Sequence, residues 1–182
     1  NYRRFFDINE LAAIRIEDEK VFRHYHELLF KLIKEGKING LRIDHPDGLY
    51  DPPVYFRRLQ REYLLQMVVK DWEERARQDT GESEEIDVDA VRQSLDRLLE
   101  NEFSALPSFY VVAEKILDRK EPLPENWNIH GTVGYDFLNS LNGLFVDFSN
   151  DKAFEKLYED YIGHPIDFDE LVYNKKKFIG LV

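Results

Sequence analysis

The chain contains no cysteine, so disulfides, thiol catalysis and thiolate-bound zinc are excluded at the outset. No apolar run comes near the roughly 18 residues a membrane span requires, and the first residues hold no secretory-type apolar leader. No stripe of lysine or arginine stands clear of neighbouring acids. With 36 acidic against 25 basic side chains, the formal net charge is −11. Phosphate backbones are bound through such basic stripes, so neither nucleic acid nor a membrane is an expected partner. Cysteine avoidance fits the cytoplasm, which is the expected location.

What is present suits a globular protein: 182 residues, 43% hydrophobic and 34% charged. Residues 1–16 have no single period and read as a partly extended loop entering a helix. From Glu17 the pattern is helical, with Val21, Leu28, Leu29, Leu32 and Ile33 on one stripe and Gly36 as the stop signal. Ile38, Leu41 and Ile43 make a short β-type run, ended by the turn residues His45-Pro46-Asp47-Gly48. Pro52-Pro53 opens a long helix to about Arg77, with Phe56, Leu59, Tyr63, Met67 and Trp72 inward. An acidic break at 79–87 precedes a second helix carrying Val88, Val91, Leu95, Leu98 and Leu99, which Pro107 closes. Residues 109–113 are continuously apolar, as in a buried parallel strand. A loop over 118–130 and a glycine turn at 131–134 lead to the apolar stretch 135–148. Helical patterns at about 151–162 and 167–181 complete the chain. Helix, glycine, short strand and polar loop in that order predict a helix-rich α/β fold.

Two carboxylates stand at the ends of the short strands, Asp44 after Leu41-Arg42-Ile43 and Glu114 after Tyr110-Val111-Val112-Ala113. Sites in parallel α/β sheets form there, because the loops vary over a rigid scaffold. Side chains alternate along a strand, so Arg42 and Asp44 share a face and the guanidinium holds Asp44 ionised. Glu114 shows fewer partners. Two acids in contrasting surroundings are what a nucleophile and a general acid require, and retaining glycosidases set such a pair about 5–5.5 Å apart. The same residues have a plainer reading, in which Asp44 is a loop or cap residue and Arg42–Asp44 a structural ion pair.

Residues 40–49, GLRIDHPDGL, resemble the second conserved region of the α-amylase superfamily, glycoside hydrolase family 13, and 111–117, VVAEKIL, resemble its third. Residues 1–11, 131–137 and 141–147 are similar to further stretches of one branch of that family, in the same order. The resemblance implies a (β/α)8 TIM barrel whose fourth and fifth strands end at Asp44 and Glu114. It implies Asp44 as nucleophile, Glu114 as general acid and base, and Arg42 as the residue that hydrogen-bonds Asp44. The reaction implied converts the reducing-end α-1,4 linkage of a maltooligosaccharide to an α,α-1,1 linkage by intramolecular transglycosylation, with no metal or other cofactor. Members of the family often carry Lys-His three and four positions after the nucleophile; Asp47 and Gly48 stand there in this chain, which implies a different acceptor site.

Three departures shape the expectation. The family's third acid and its first conserved region have no counterpart in these residues, and 69 residues separate Asp44 from Glu114 where compact members have far fewer. About 30 residues suffice for a βαβ unit. The chain therefore reads as an internal piece of a larger enzyme: barrel segments at 1–61 and 107–148, an inserted helical pair at 62–106, and the start of a helical subdomain at 149–182. Such a piece is expected to be inactive alone and to self-associate through exposed sheet edges. The competing readings are another family 13 hydrolase or glucanotransferase, and a non-catalytic helical interaction module.

Other residues divide between two roles. His45 and Asp47 are candidates for substrate contact, with a backbone-capping turn as the plainer reading of His45. Tyr135 and Asp136 are candidates for the acceptor glucose, with core packing and a helix cap as the alternatives. Asp44, Asp47 and Asp51 miss the calcium-loop spacing and enclose Pro46, so no metal is expected. Trp127 is a candidate sugar platform with packing as the plainer reading, and Arg3, Arg4, Phe5 and Phe6 match the family without a derivable role.

Overall fold

Asp18 starts the first helix of the computed structural model, which describes residues 12–79, 86–102, 108–118 and 120–180. Its carboxylate accepts from the backbone N–H of Lys20 at 2.9 Å, so α1 runs over Glu19–Lys34. Gly36, at φ +70°, turns the chain out of it. The inward stripe of α1 is Phe22, His26, Phe30 and Ile33, whereas Leu28 is 68% exposed. The expected stripe was rotated because a histidine on the apolar face did not read as a core residue. The expectations resting on Arg3, Arg4, Phe5, Phe6, Pro107 and most of the acidic break lie outside the described residues.

Three strands follow the helix-rich stretches: β1, Gly40–Ile43; β2, Tyr110–Ala113; and β3, Gly131–Thr132. They form a parallel sheet in the order β1-β2-β3, with Gly40 opposite Tyr110, Ile43 opposite Ala113, and Val112 and Ala113 opposite Gly131 and Thr132. The glycine turn expected at 131–134 is therefore half strand. Two residues, one of them glycine, carry no alternation to read; the pairing is imposed by β2, and His130 N–H on Val111 O at 2.8 Å extends it.

Between β1 and β2 lie α2, Pro52–Asp79, and α3, Val88–Glu102. Asp51 caps α2 through the Val54 N–H at 3.0 Å, and Asp87 caps α3 through the Ala90 N–H at 3.0 Å. The core joins α1, α2 and β2: Phe22, Phe30 and Ile33 meet Phe56, Leu59, Phe109, Val111, Ala113 and Trp127, with Tyr63 and Met67 beside them. Trp127 follows the packing reading, its ring 5.1 Å from Phe56. A second cluster, Leu64, Leu65, Leu95 and Leu99, fastens α3 onto α2, while Leu98 and Trp72 are 40% and 38% exposed, not inward. Polar groups close the same interface. Arg61, nearly buried, pairs with Glu19 of α1, Glu62 of α2 and Asp96 of α3. None of the described helices is long and apolar enough to cross a membrane.

The chain divides into the units Asn1–Asp136 and Phe137–Val182. Across that boundary runs α4, Tyr135–Gly143; α5, Asp151–Ile162, and α6, Phe168–Ile179, belong to the second unit. Gly163 at φ +81° ends α5, and Asp167 caps α6 through the Glu170 N–H at 3.0 Å. Apolar side chains of this unit stand in solvent, Phe145 at 84% and Tyr161 at 87% exposure.

Gln60 makes the sharpest test of the packing. Its amide, 1% exposed, donates to Phe109 O at 3.0 Å and Asn128 O at 3.1 Å, and accepts from the Phe109 N–H at 2.9 Å. Gln60→Leu strands two buried backbone groups and a half-buried one and is expected to lower stability by about 2–4 kcal/mol in urea unfolding, where exposed Glu74→Ala changes it by less than about 0.5 kcal/mol.

Candidate active site

Strand register decides which side chains meet. Arg42 lies opposite Val112, and the ladder continues past the strand ends, where the Glu114 N–H donates to Ile43 O at 2.8 Å. Asp44 and Glu114 therefore leave the sheet side by side. Arg42 holds both: Nη1 donates to Asp44 Oδ1 at 2.6 Å, and Nη2 reaches Glu114 Oε1 at 3.1 Å.

Glu114 has more partners than its apolar strand suggested. The Tyr135 hydroxyl donates to Oε1 at 3.0 Å, and the His45 N–H donates to Oε2 at 3.1 Å. These groups come from α4 and from the loop after β1, so strand pattern alone could not reveal them. His45 sits at φ +46°, the one positive φ outside glycine among the described residues. That left-handed conformation costs about 1–2 kcal/mol for a residue with a Cβ.

Arg42 holds the Asp44 carboxyl below the usual aspartate range, with a hydrogen bond to Glu114 as the second cause. Asp44 in turn raises Arg42, and the bond to Glu114 raises the Tyr135 hydroxyl. Exposure separates the two acids: the Asp44 side chain is 70% exposed and that of Glu114 21%. An open, ionised carboxylate beside a shielded one ringed by donors is a chemically unequal pair. It suits attack by the first and proton traffic through the second.

The remaining candidates have defined partners. Asp47 pairs with Lys115 at 3.3 Å, and Lys115 also holds Glu121 at 2.8 Å. Asp136, in the first turn of α4, accepts from the Thr132 hydroxyl at 2.7 Å. Asp44, Asp47 and Asp51 thus turn to three separate partners, and no cluster that could hold a metal ion occurs among the described residues.

A cavity of about 870 Å³ opens beside Asp44 and His45, lined also by Tyr25, Tyr50, Tyr55 and His26. The last two, a half-buried tyrosine and a buried histidine, form a pair that the sequence reading did not single out. His26 Nδ1 donates to Phe22 O at 2.8 Å, leaving Nε2 to accept from the Tyr55 hydroxyl at 3.0 Å. Burial lowers the pKa of His26 and raises that of Tyr55, so both stay neutral near pH 7. The available signal was spacing: His26 lies four residues from both Phe22 and Phe30.

No protein-family model matches the chain. Two curated proteins named maltooligosyl trehalose synthase, from two strains of Mycobacterium tuberculosis, are each 30% identical over 158 residues. The match covers 87% of this chain and 15% of theirs. A solved maltooligosyltrehalose synthase from Arthrobacter ramosus aligns over 98% of this chain at 31% identity with a TM-score of 0.63, and a glycosyltrehalose synthase does so at 36% and 0.62. This chain spans 18% of each of those structures.

Arg42→Leu removes the largest influence on Asp44, and its carboxyl is expected to titrate at higher pH, followed by carboxyl-carbon NMR. The sign carries over to folding. Because the folded value is depressed, the pairing stabilises above the unfolded aspartate value and is lost as pH falls through the folded one. In Arg42→Leu that acid-side loss is reduced.

Proposed function

We propose that this chain, a relative of maltooligosyl trehalose synthases along one segment of their length, carries the nucleophile and the acid–base of a retaining transglycosylation on a maltooligosaccharide. The observation that carries the reading is the single guanidinium, Arg42, shared by two carboxylates at the ends of adjacent parallel strands. β1 and β2 are then the fourth and fifth strands of a (β/α)8 barrel, and α2 with α3 supplies the inserted helical pair.

The chemistry follows from the unequal pair. Asp44 attacks the anomeric carbon next to the reducing-end glucose while Glu114 protonates the glycosidic oxygen, so one C–O bond forms as another breaks. The released glucose turns over in place. Its anomeric hydroxyl attacks the same carbon, Glu114 takes back the proton, and Asp44 leaves as a carboxylate. Two inversions give net retention and an α,α-1,1 linkage with no net consumption of water. Arg42 keeps Asp44 ionised for attack. The cavity beside Asp44 would take the glucan against Tyr25, Tyr50 and Tyr55, with His45 also in its lining. On this reading Tyr135 and Asp136 face the acceptor glucose, with Tyr135 also aiming Glu114, while Asp47 is held by Lys115.

In the protein carrying these residues, Asp44→Asn and Glu114→Gln are each expected to cut turnover of maltopentaose by about 10³-fold or more. The product of the unaltered protein should be non-reducing. Free reducing ends would indicate a hydrolase instead, and full activity in either variant would overturn the site. On the same reading the 182 residues alone lack the third acid and form no trehalose-type product; their turnover by the purified chain would contradict that.

A further inference from the structure

Besides Arg42, two ties fasten the loop after β1 to the loop after β2. The His45 N–H donates to Glu114 Oε2 at 3.1 Å, and Asp47 Oδ2 pairs with Lys115 Nζ at 3.3 Å. Lys115 follows Glu114 directly in the chain. Its side chain is 13% exposed, and Glu121 holds the same ammonium at 2.8 Å. A cation anchored by two carboxylates has little freedom to release either.

Between the ties the loop is tightly wound. His45 adopts its left-handed φ of +46°, and residues 46–48 make a single 3-10 turn closed by the Gly48 N–H on His45 O at 3.0 Å. The His45 ring lies against Gly48, where an added Cβ would come within 2.6 Å of Cδ2. A strained residue persists only where its surroundings over-determine it. Here the strain accompanies one result, a backbone N–H set on the second oxygen of Glu114. The other oxygen, Oε1, already accepts from Arg42 and Tyr135. The His45 amide is the backbone donor that orients Oε2.

From this we infer that Lys115 is a positioning residue: by anchoring Asp47 it holds the loop 45–48 so that the His45 amide stays on Glu114. It thereby fixes the conformer from which that carboxyl gives and takes its proton. The inference rests on the reading of Glu114 as the acid–base. It assigns Asp47 to the scaffold of the site through Oδ2.

The test uses Lys115→Met, Asp47→Asn and their double variant in the protein carrying these residues. Each single variant is expected to lower kcat about 10- to 100-fold with KM within about twofold, since a misplaced acid–base slows chemistry without loosening the substrate. The double variant should be no worse than either single one, because both cut the same tie. Lys115→Arg, whose guanidinium can span both carboxylates, should restore kcat to within about threefold. Independently of turnover, the His45 amide proton of the 182-residue chain should move upfield in Lys115→Met as its bond to a carboxylate is lost. Should that variant fail to fold, Asp47→Asn, a neutral isostere, carries the same comparison. An unmoved His45 amide, or additive losses in the double variant, overturns the inference. If Asp44→Asn and Glu114→Gln are inactive while Lys115→Met keeps full kcat, the inference alone falls; if those two variants retain turnover, the reading of the site falls with it.

Discussion

One guanidinium between two carboxylates is the interaction on which the rest of the site depends. Arg42 gives one nitrogen to Asp44 and another to Glu114. A cation placed there does two things. It draws both acids to one point, and it is the largest influence that keeps Asp44 ionised. The backbone makes that geometry cheap. With Arg42 opposite Val112 and the Glu114 amide on Ile43 O, the acids emerge at neighbouring strand ends with no conformational search.

The helices exist, in this view, to hold that register. Gln60 ties α2 to the residue that opens β2, and Arg61 ties α1, α2 and α3 together from an almost buried position. A buried ion network adds little net stability, but breaking it strands a charge, so it specifies one arrangement of the helices. Through that arrangement the segment preceding α1 is fixed as well: the Arg58 guanidinium donates to Glu17 O at 2.7 Å, and residues 13–17 form one wall of the cavity beside Asp44.

Much of this was legible in the sequence, and for identifiable reasons. Arg42 and Asp44 share a face because side chains alternate, a local rule that needs no tertiary knowledge. The apolar stripe Phe56, Leu59, Tyr63 and Met67 was legible from helical spacing. What escaped was set by distant partners. The Glu114 donors come from residues 45 and 135, on other elements. β3 is strand only because β2 pairs with it. His26 sits in the core because its two ring nitrogens are satisfied there by Phe22 O and Tyr55, which a polarity pattern reads as an argument for solvent.

The central claim is that Asp44 forms the covalent bond and Glu114 moves the proton. The most direct measurement is to trap the intermediate with an activated 5-fluoro-α-glucosyl donor and locate the label by peptide mass spectrometry, in the protein carrying these residues and in its Glu114→Gln form. The account predicts a single glucosyl ester on Asp44, formed by both proteins because the activated leaving group needs no acid. A label on Glu114, or on neither carboxylate while the donor is consumed, would contradict it.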